Sequence, residues 1–346
     1  MMKAIRQDVT YFGAANGFYG FRSNFDRIFS SEHLNKLFII KGGPGTGKST
    51  LLRQIKEKYA VDAKIITILC SSDPDSYDGI LITKNGITVG IADGTSPHAI
   101  EPEYPGAFEE IVNLGDAFDF DMLSESKSAI TELSKDKKAN YKSAYASLKI
   151  AGLIYDYIQD YFLNSQYYNL AENEISQLID KDENSVTGAL KSDFLIGSFS
   201  KCGYKRLSIR SDRKRNICLS GDGISEYISM SVISKLLSLS SASYQIFPSA
   251  FSEELPDAII TEKATFYIGD GKDHTVDTTK FMPKNREYEK SRSAYKSFLE
   301  NALLSLIKAS EQHFKLESVY SSAMNFSLNE EKYLDITKKI DTLFDK

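Results

Sequence analysis

Residues Gly42-Gly43-Pro44-Gly45-Thr46-Gly47-Lys48-Ser49 fit the pattern G-x-x-x-x-G-K-[ST] at every fixed position. These residue types at this spacing suit the cradling of a polyphosphate. Glycines let backbone N–H groups turn inward around an anion, and a following helix adds the positive end of its dipole. A lysine can then reach the outer phosphates, and a hydroxyl can ligate Mg²⁺. The pattern assigns ATP contact to Gly42, Gly43, Pro44, Gly45, Thr46, Gly47, Lys48, Ser49 and Thr50, with Lys48 also catalytic and Ser49 a metal ligand.

A Mg²⁺ held by Ser49 needs a carboxylate at the end of a neighbouring strand. Thr88-Val89-Gly90-Ile91-Ala92-Asp93 is an apolar run ending in an acid, which makes Asp93 the expected second ligand. A plain Asp93-Gly94 turn is the competing reading. Asp73 and Asp78, within Ser71 to Asp78, are candidates to orient an attacking water or an acceptor hydroxyl. Ligands of open α/β sheets sit beyond the carboxyl ends of strands, where this segment is expected. Turn and capping chemistry competes for both aspartates. His98 suits either a phosphate-sensing group or, as the commoner role, a structural imidazole.

Elements must hold these residues in place. Leu37-Phe38-Ile39-Ile40 reads as a buried strand, and Leu51, Leu52, Ile55 and Tyr59 recur as one helix face. Lys64 to Cys70 reads as a second strand. Asn85-Gly86 is a hairpin signal that pairs Ile80–Thr83 with the strand ending at Asp93. From Lys127 to Asp180 the spacing of Ala144, Leu148, Ala151, Ile154, Tyr155, Ile158 and Phe162 predicts a helical hairpin packed on the first sheet. Tyrosines 141, 145, 155, 157, 161, 167 and 168 could stack on bases, but their spacing favours core and half-buried faces.

The second half echoes the first. Ile217-Cys218-Leu219-Ser220-Gly221-Asp222-Gly223 again enters a glycine turn, and matching Gly221 to Gly42 also places Asp257 on Asp78. Thr265 to Gly271 falls on Thr88 to Gly94, and His274-Thr275-Val276-Asp277 echoes His98 to Glu101. Collinear matches of this kind point to a tandem duplication. In that alignment Glu226, Tyr227 and Ile228 stand where Gly47, Lys48 and Ser49 do, so the copy lacks the cation and the hydroxyl. The expected fold is α/β: two P-loop-type, mostly parallel sheet domains, each followed by helices. The first spans residues 1–185, with its helical hairpin at about 121–183, and the degenerate second spans 190–346.

Charge is segregated. Ala99 to Ser126 holds eight acids and no Lys or Arg, while Lys201 to Arg215 holds seven basic residues and one acid. Solvated surface is the ordinary explanation. The sharper ones are mutual docking, contact with nucleic acid phosphates, or an arginine reaching the working site. Across all 346 residues Lys plus Arg is 42 and Asp plus Glu is 47, a net charge of −5, which excludes a wholesale basic nucleic-acid binder. Three cysteines without C-x-x-C spacing exclude a disulfide framework or zinc ribbon and suggest a reducing, cytoplasmic setting. No signal peptide is visible at the start, and no apolar run is long enough for a membrane span.

The Phe38–Thr50 segment, Cys70-Ser71-Ser72-Asp73, Asp93 to His98 and Glu109 to Asp116 together resemble a bacterial family of P-loop ATPases of unassigned role. That family has two P-loop-like halves, and the resemblance is strongest over residues 10–120. It implies a nucleoside-triphosphatase fold and ATP at Gly42–Thr50, but no particular reaction. The sequence departs from it at Gly221–Ser229, where family members can retain a second glycine–lysine loop. Three functions follow: an Mg²⁺-dependent ATPase whose hydrolysis switches the arrangement of the halves, a small-molecule or nucleotide kinase, or a non-catalytic nucleotide sensor. ATP is favoured over GTP because no N-K-x-D motif follows the loop.

Overall fold

The computed structural model describes residues 8–179, 188–210, 214–240, 242–271 and 274–346. Arg213 of the basic run and residues 180–187, where the helical hairpin was expected to end, lie outside the described residues. In chain order the first half comprises β1 (Val9–Phe12), β2 (Ala14–Gly17), β3 (Gly20–Ser23), α1 (Phe25–Ile28), β4 (Lys36–Lys41), α2 (Lys48–Tyr59), β5 (Lys64–Leu69), β6 (Tyr77–Lys84), β7 (Ile87–Asp93) and β8 (Glu109–Asn113). A 3₁₀ turn (Leu114–Ala117), α3 (Phe120–Glu125), α4 (Lys127–Leu163) and α5 (Gln166–Ser176) complete it. The second half comprises β9 (Gly188–Lys191), β10 (Gly197–Ser200), β11 (Gly203–Arg206), β12 (Arg215–Ser220), α6 (Ser225–Ser238), β13 (Ser243–Pro248), β14 (Pro256–Thr261), β15 (Ala264–Ile268) and β16 (His274–Asp277). A 3₁₀ turn (Thr278–Phe281), α7 (Arg286–Ser322) and α8 (Ser327–Phe344) follow.

Each half carries a six-stranded sheet, in the orders β1-β5-β6-β7-β4-β8 and β9-β13-β14-β15-β12-β16. The pairing senses agree position by position. In each sheet only the third strand, β6 or β14, runs antiparallel to the rest. Each half also has a two-stranded ribbon, β2-β3 or β10-β11. The protein is therefore α/β with mixed, mostly parallel sheets in two similar halves.

Local chemistry explains the central elements. Leu37, Phe38, Ile39 and Ile40 of β4 are all buried, the continuous apolar run of a strand covered on both faces. Asn85 (φ 53°) and Gly86 (φ 80°) form the two-residue turn between β6 and β7, where Lys84 pairs with Ile87. Both turn residues sit at positive φ, which Asn and Gly tolerate and which matches the twist of the flanking strands.

The compact units do not divide at 185–190. One consists of residues 1–14, 21–142 and 305–346, and the other of residues 15–20 and 143–304. The helical stretch after the first sheet was expected to pack on that sheet; instead, α4 from Ser143 onward and α5 belong to the second unit. Ala144, Leu148, Ala151, Tyr155, Ile158 and Phe162 are buried as the spacing predicts, and α5 packs on α6. Conversely, Ile336, Ile340 and Phe344 of α8 join Phe38, Leu52, Ile55, Ile80 and Ile91 in the core of the first unit. Periodicity identifies the buried face of a helix but not the sheet that receives it.

Candidate functional site

The Gly42–Thr50 loop joins β4 to α2, at the carboxyl end of a central strand. Gly45 (φ 70°) and Gly47 (φ 86°) adopt left-handed backbone, which side-chain-bearing residues rarely adopt. Gly47 is the N-cap of α2 and supplies no side chain to its first amides. A helix start without a side-chain cap leaves N–H groups available to an anion. Thr46 is buried and its hydroxyl donates to the Gly43 carbonyl at 2.9 Å, which holds the loop curled.

Lys48 folds back over this loop. Its Nζ donates to the carbonyls of Gly43 (2.8 Å) and Gly42 (3.3 Å) and stands 3.6 Å from Asp93 Oδ2. Asp93 is the last residue of β7, opposite Ile40 of the neighbouring parallel β4. The turn reading of this aspartate is seen directly. Its Oδ1 accepts from the Thr95 amide (2.9 Å) and hydroxyl (2.6 Å) in a turn, while Oδ2 faces Lys48. Lys41 secures the segment after Asp93 by donating to the carbonyls of Gly94 (2.9 Å) and Ile100 (2.7 Å). Ser49 Oγ accepts from the Tyr77 amide at 2.9 Å, and Thr50 is exposed. One hydroxyl and one carboxylate are too few donors for Mg²⁺ alone, but they fit an ion that keeps waters and shares phosphate oxygens.

Asp73 and Asp78 stand apart from this group. Asp73 Oδ1 accepts from the Asp75 amide (3.4 Å) and its carbonyl from the Ser76 amide (2.9 Å), which is turn chemistry. Asp78 is buried at the start of β6, its Oδ2 3.1 Å from His98 Nε2 in an ion-pair contact poorly aligned for a hydrogen bond. The other ring nitrogen, Nδ1, lies 3.0 Å from the Asp93 carbonyl, and the ring stacks on Phe25 at 4.3 Å. Burial alone would lower the His98 pKa, but the Asp78 carboxylate outweighs it and the pKa is raised. His98 thus bridges Asp78 of β6 and the carbonyl of Asp93 at the end of β7.

Residues 305–346 contribute groups that sequence reasoning missed. An added Cβ on Gly45 would lie 2.4 Å from the Glu317 carbonyl oxygen, and one on Gly43 would touch Phe118 and Tyr320. Asn329 Nδ2 donates to the Thr46 carbonyl at 2.9 Å. The glycines thus answer to packing. Nothing in the local pattern of α7 or α8 signals this approach.

The acidic stretch finds cations within its own unit. Glu101 pairs with Lys41 (2.6 Å), Glu110 with Lys339 (2.6 Å) and Asp116 with Lys332 (3.1 Å). In the basic run, Arg206 Nε bonds the fully buried Asp257 at 3.2 Å, with the Tyr204 and Tyr227 hydroxyls on the same carboxylate. Lys214 donates to the Thr261 carbonyl at 2.7 Å.

The second loop departs from the expected alignment. Ile40 pairs with Asp93 and Leu219 with Ile268, so Ile268, not Asp270, stands in place of Asp93. Phe38 pairs with Glu110 and Ile217 with His274, so His274 corresponds to Glu110 and not to His98. The Gly47 carbonyl accepts from the Leu51 amide as the Ile224 carbonyl does from the Ile228 amide. This places Ser225 and Glu226, not Tyr227 and Ile228, where Lys48 and Ser49 are. The loop itself is two residues shorter, 221–224 against 42–47. A single offset carried through the loop concealed that deletion.

The shorter loop is filled from within. Asp222 Oδ1 accepts from the amides of Ile224 (3.2 Å) and Ser225 (3.0 Å), and Glu226 Oε2 from the amide of Gly223 (2.8 Å). Asp222 Oδ2 accepts from the Tyr288 hydroxyl (2.8 Å) and lies 3.6 Å from Arg292. Burial would raise the Asp222 pKa, but these donors lower it; burial raises that of Glu226.

Among the described residues no helix is long and apolar enough to cross a membrane. Comparison with family models, curated proteins and solved structures gives no match.

Proposed function

We propose that the chain binds Mg²⁺–ATP at Gly42–Thr50 and hydrolyses it, with turnover coupled to a change in how its two units are arranged. One observation carries this reading: a glycine loop between β4 and α2, curled by residues at positive φ, with Lys48 3.6 Å from an aspartate at the end of the adjacent parallel strand. Lys48 rests on the carbonyls of Gly42 and Gly43. A bound polyphosphate would draw it off these acceptors, because a charge-assisted contact to a phosphate is stronger than one to a neutral carbonyl. The loop amides and the start of α2 would hold the phosphate oxygens, and Ser49 with Asp93 would hold the metal. The metal supplies charge neutralisation across the outer phosphates.

A kinase role has less support. Asp78 is held by His98 and Asp73 by its own turn, so neither is placed as an acceptor-activating base. The reading includes no role for nucleic acid or a membrane, leaves a protein partner unassigned, and keeps the cytoplasm as the expected setting.

The test is calorimetric titration of ATP at fixed Mg²⁺, together with a phosphate-release assay with and without candidate acceptors. One ATP bound per chain with acceptor-independent release is the expected result. Release only with an acceptor would indicate a kinase, binding without release a sensor, and no binding would end the nucleotide reading.

A further inference from the structure

One face of the second unit is apolar, open and matched to itself. Past Ser143, α4 buries one stripe, from Ala144 and Leu148 through Tyr155 to Phe162, within its unit. A second stripe is left outside. Ile150 (39% exposed), Leu153 (59%), Tyr157 (50%) and Tyr161 (41%) follow at intervals of three and four residues. That spacing lines their side chains along one side of the helix. Contiguous exposed apolar surface of this kind marks an interaction site more often than an idle surface.

The start of α7 holds the stripe ready. It runs antiparallel to α4: Asn285 Nδ2 donates to the Tyr161 hydroxyl at 3.3 Å, and the Tyr157 hydroxyl donates to Glu287. Farther along, the small side chains of Ser291 and Ala294 leave a groove of about 400 Å³ against Ile150, Leu153, Ile154 and Tyr157. With both phenol ends tied, the two rings have little freedom left to lose when a surface packs on them. Lys290 stands exposed on the α7 rim, where its flexible stem can turn to solvent.

Charge then selects the occupant. Lys149 and Asp160 are exposed, and neither side chain has a hydrogen bond or ion pair among the described residues. They are eleven residues apart, about three turns, so they share one edge of the stripe and lie roughly 16 Å apart along the axis. The midpoint of this pair falls between residues 154 and 155, and that of the apolar stripe between 155 and 156. A pattern with one centre, apolar along the middle and carrying opposite signs at its two ends, is complementary to its own reverse. A second α4 laid antiparallel across it brings Lys149 of each copy to Asp160 of the other, as a twofold requires. A parallel copy would set Lys149 against Lys149, and a partner of a single sign, such as a nucleic acid, would match only one of the two charges.

We propose that the Ile150–Tyr161 stripe of α4 is the interface with a second copy of this chain, packed antiparallel about a twofold near residue 155. The inference does not depend on the nucleotide reading. A seam of about three turns is small beside the ~1,600 Å² of a standard interface, so the dimer forms as concentration rises rather than being obligate.

Sedimentation equilibrium of the full chain over a wide range of concentration tests this, using wild type, Leu153→Glu, Lys149→Glu, Asp160→Lys and the double charge reversal. Wild type is expected to pass from monomer to dimer. Leu153 is exposed, so Leu153→Glu should melt as wild type does and yet stay monomeric. Each single reversal should weaken association roughly tenfold, because two pairs per dimer turn repulsive. The double reversal should restore it, because the two signs are then exchanged across the same pairs. Wild type that stays monomeric at every concentration would overturn the proposal and leave the stripe to a different molecule. A dimer that survives Leu153→Glu would overturn the location, and a double reversal no better than the singles would overturn the antiparallel pairing.

Discussion

The two glycine loops start from the same place in two copies of one sheet and end in opposite chemical states. In the first, six residues lead into α2, whose first amides take no side-chain cap, and the Lys48 ammonium rests on the loop's own carbonyls. In the second, four residues wrap around the chain's own carboxylates, and the amides of Gly223, Ile224 and Ser225 are already bonded. Losing the lysine and hydroxyl alone would have left an anion-attracting helix start. Asp222 and Glu226 instead satisfy those donors from within the chain. The second loop is thereby a helix cap, set on the same strand-to-helix scaffold as the first.

This contrast can be broken at several points, and the most damaging result would come from Asp93. In the first half Asp93→Asn should reduce phosphate release at least about a hundredfold while ATP binding remains measurable, because the metal-facing charge is lost but the loop is not. Ile268 occupies the corresponding place in the second half, and Ile268→Asn should leave release unchanged apart from any effect on folding. Full activity in Asp93→Asn would show that the two strand ends do not differ in function.

Lys48→Ala should weaken ATP by roughly ten- to a hundredfold, the usual value of one charge-assisted contact, with little change in melting temperature. A stoichiometry of one nucleotide per chain should collapse in this variant. Two sites per chain, or a site that survives the substitution, would mean the second loop binds after all.

The converse holds for Asp222. Asp222→Ala should lower stability by about 1–3 kcal/mol, since it leaves buried amides and the Tyr288 hydroxyl unpaired, and should leave ATP affinity unchanged. Denaturant melts alongside calorimetry separate the two readouts. A gain of ATP binding at the second loop in this variant would show that the carboxylate is a removable plug rather than a cap.

A smaller effect concerns pH, and its sign differs between the halves. The raised His98 pKa means that its pairing with Asp78 stabilises the fold fully below about pH 6.5, the ordinary histidine value. That contribution is lost as pH rises through the folded pKa. The lowered Asp222 pKa gives stability that is present above about pH 3.9 and lost as pH falls through the folded value. Amide exchange followed between pH 5 and 8 should therefore show β6 and the end of β7 loosening with rising pH while the start of α6 is unaffected. Asp78→Asn should flatten the first trend; equal pH responses at both places would contradict the assignment.

Much of the first site was legible because it is local. A strand, a glycine loop and a helix face lie within residues 37–59, and the Asn85-Gly86 turn delivers Asp93 to its strand end. The likeness of the two halves was legible as well, because apolar strands repeat in the same order. Two features were not. The exchange of helices between units leaves no mark on periodicity, since an apolar stripe fits either sheet. The two-residue deletion in the second loop hid the roles of Asp222 and Glu226, which read as ordinary turn residues.

The exchange of helices has a consequence in time. A chain grows from its first residue at roughly 5–20 residues per second. The glycine loop and all of its own strands have been made by residue 113, yet the core beneath them still lacks Ile336, Ile340 and Phe344. For the interval in which more than 200 further residues are added, the apolar faces of Leu52, Ile55 and Ile80 lack these packing partners. The core of the first unit is thus completed only once residues 336–344 have been made and α8 can pack on the sheet.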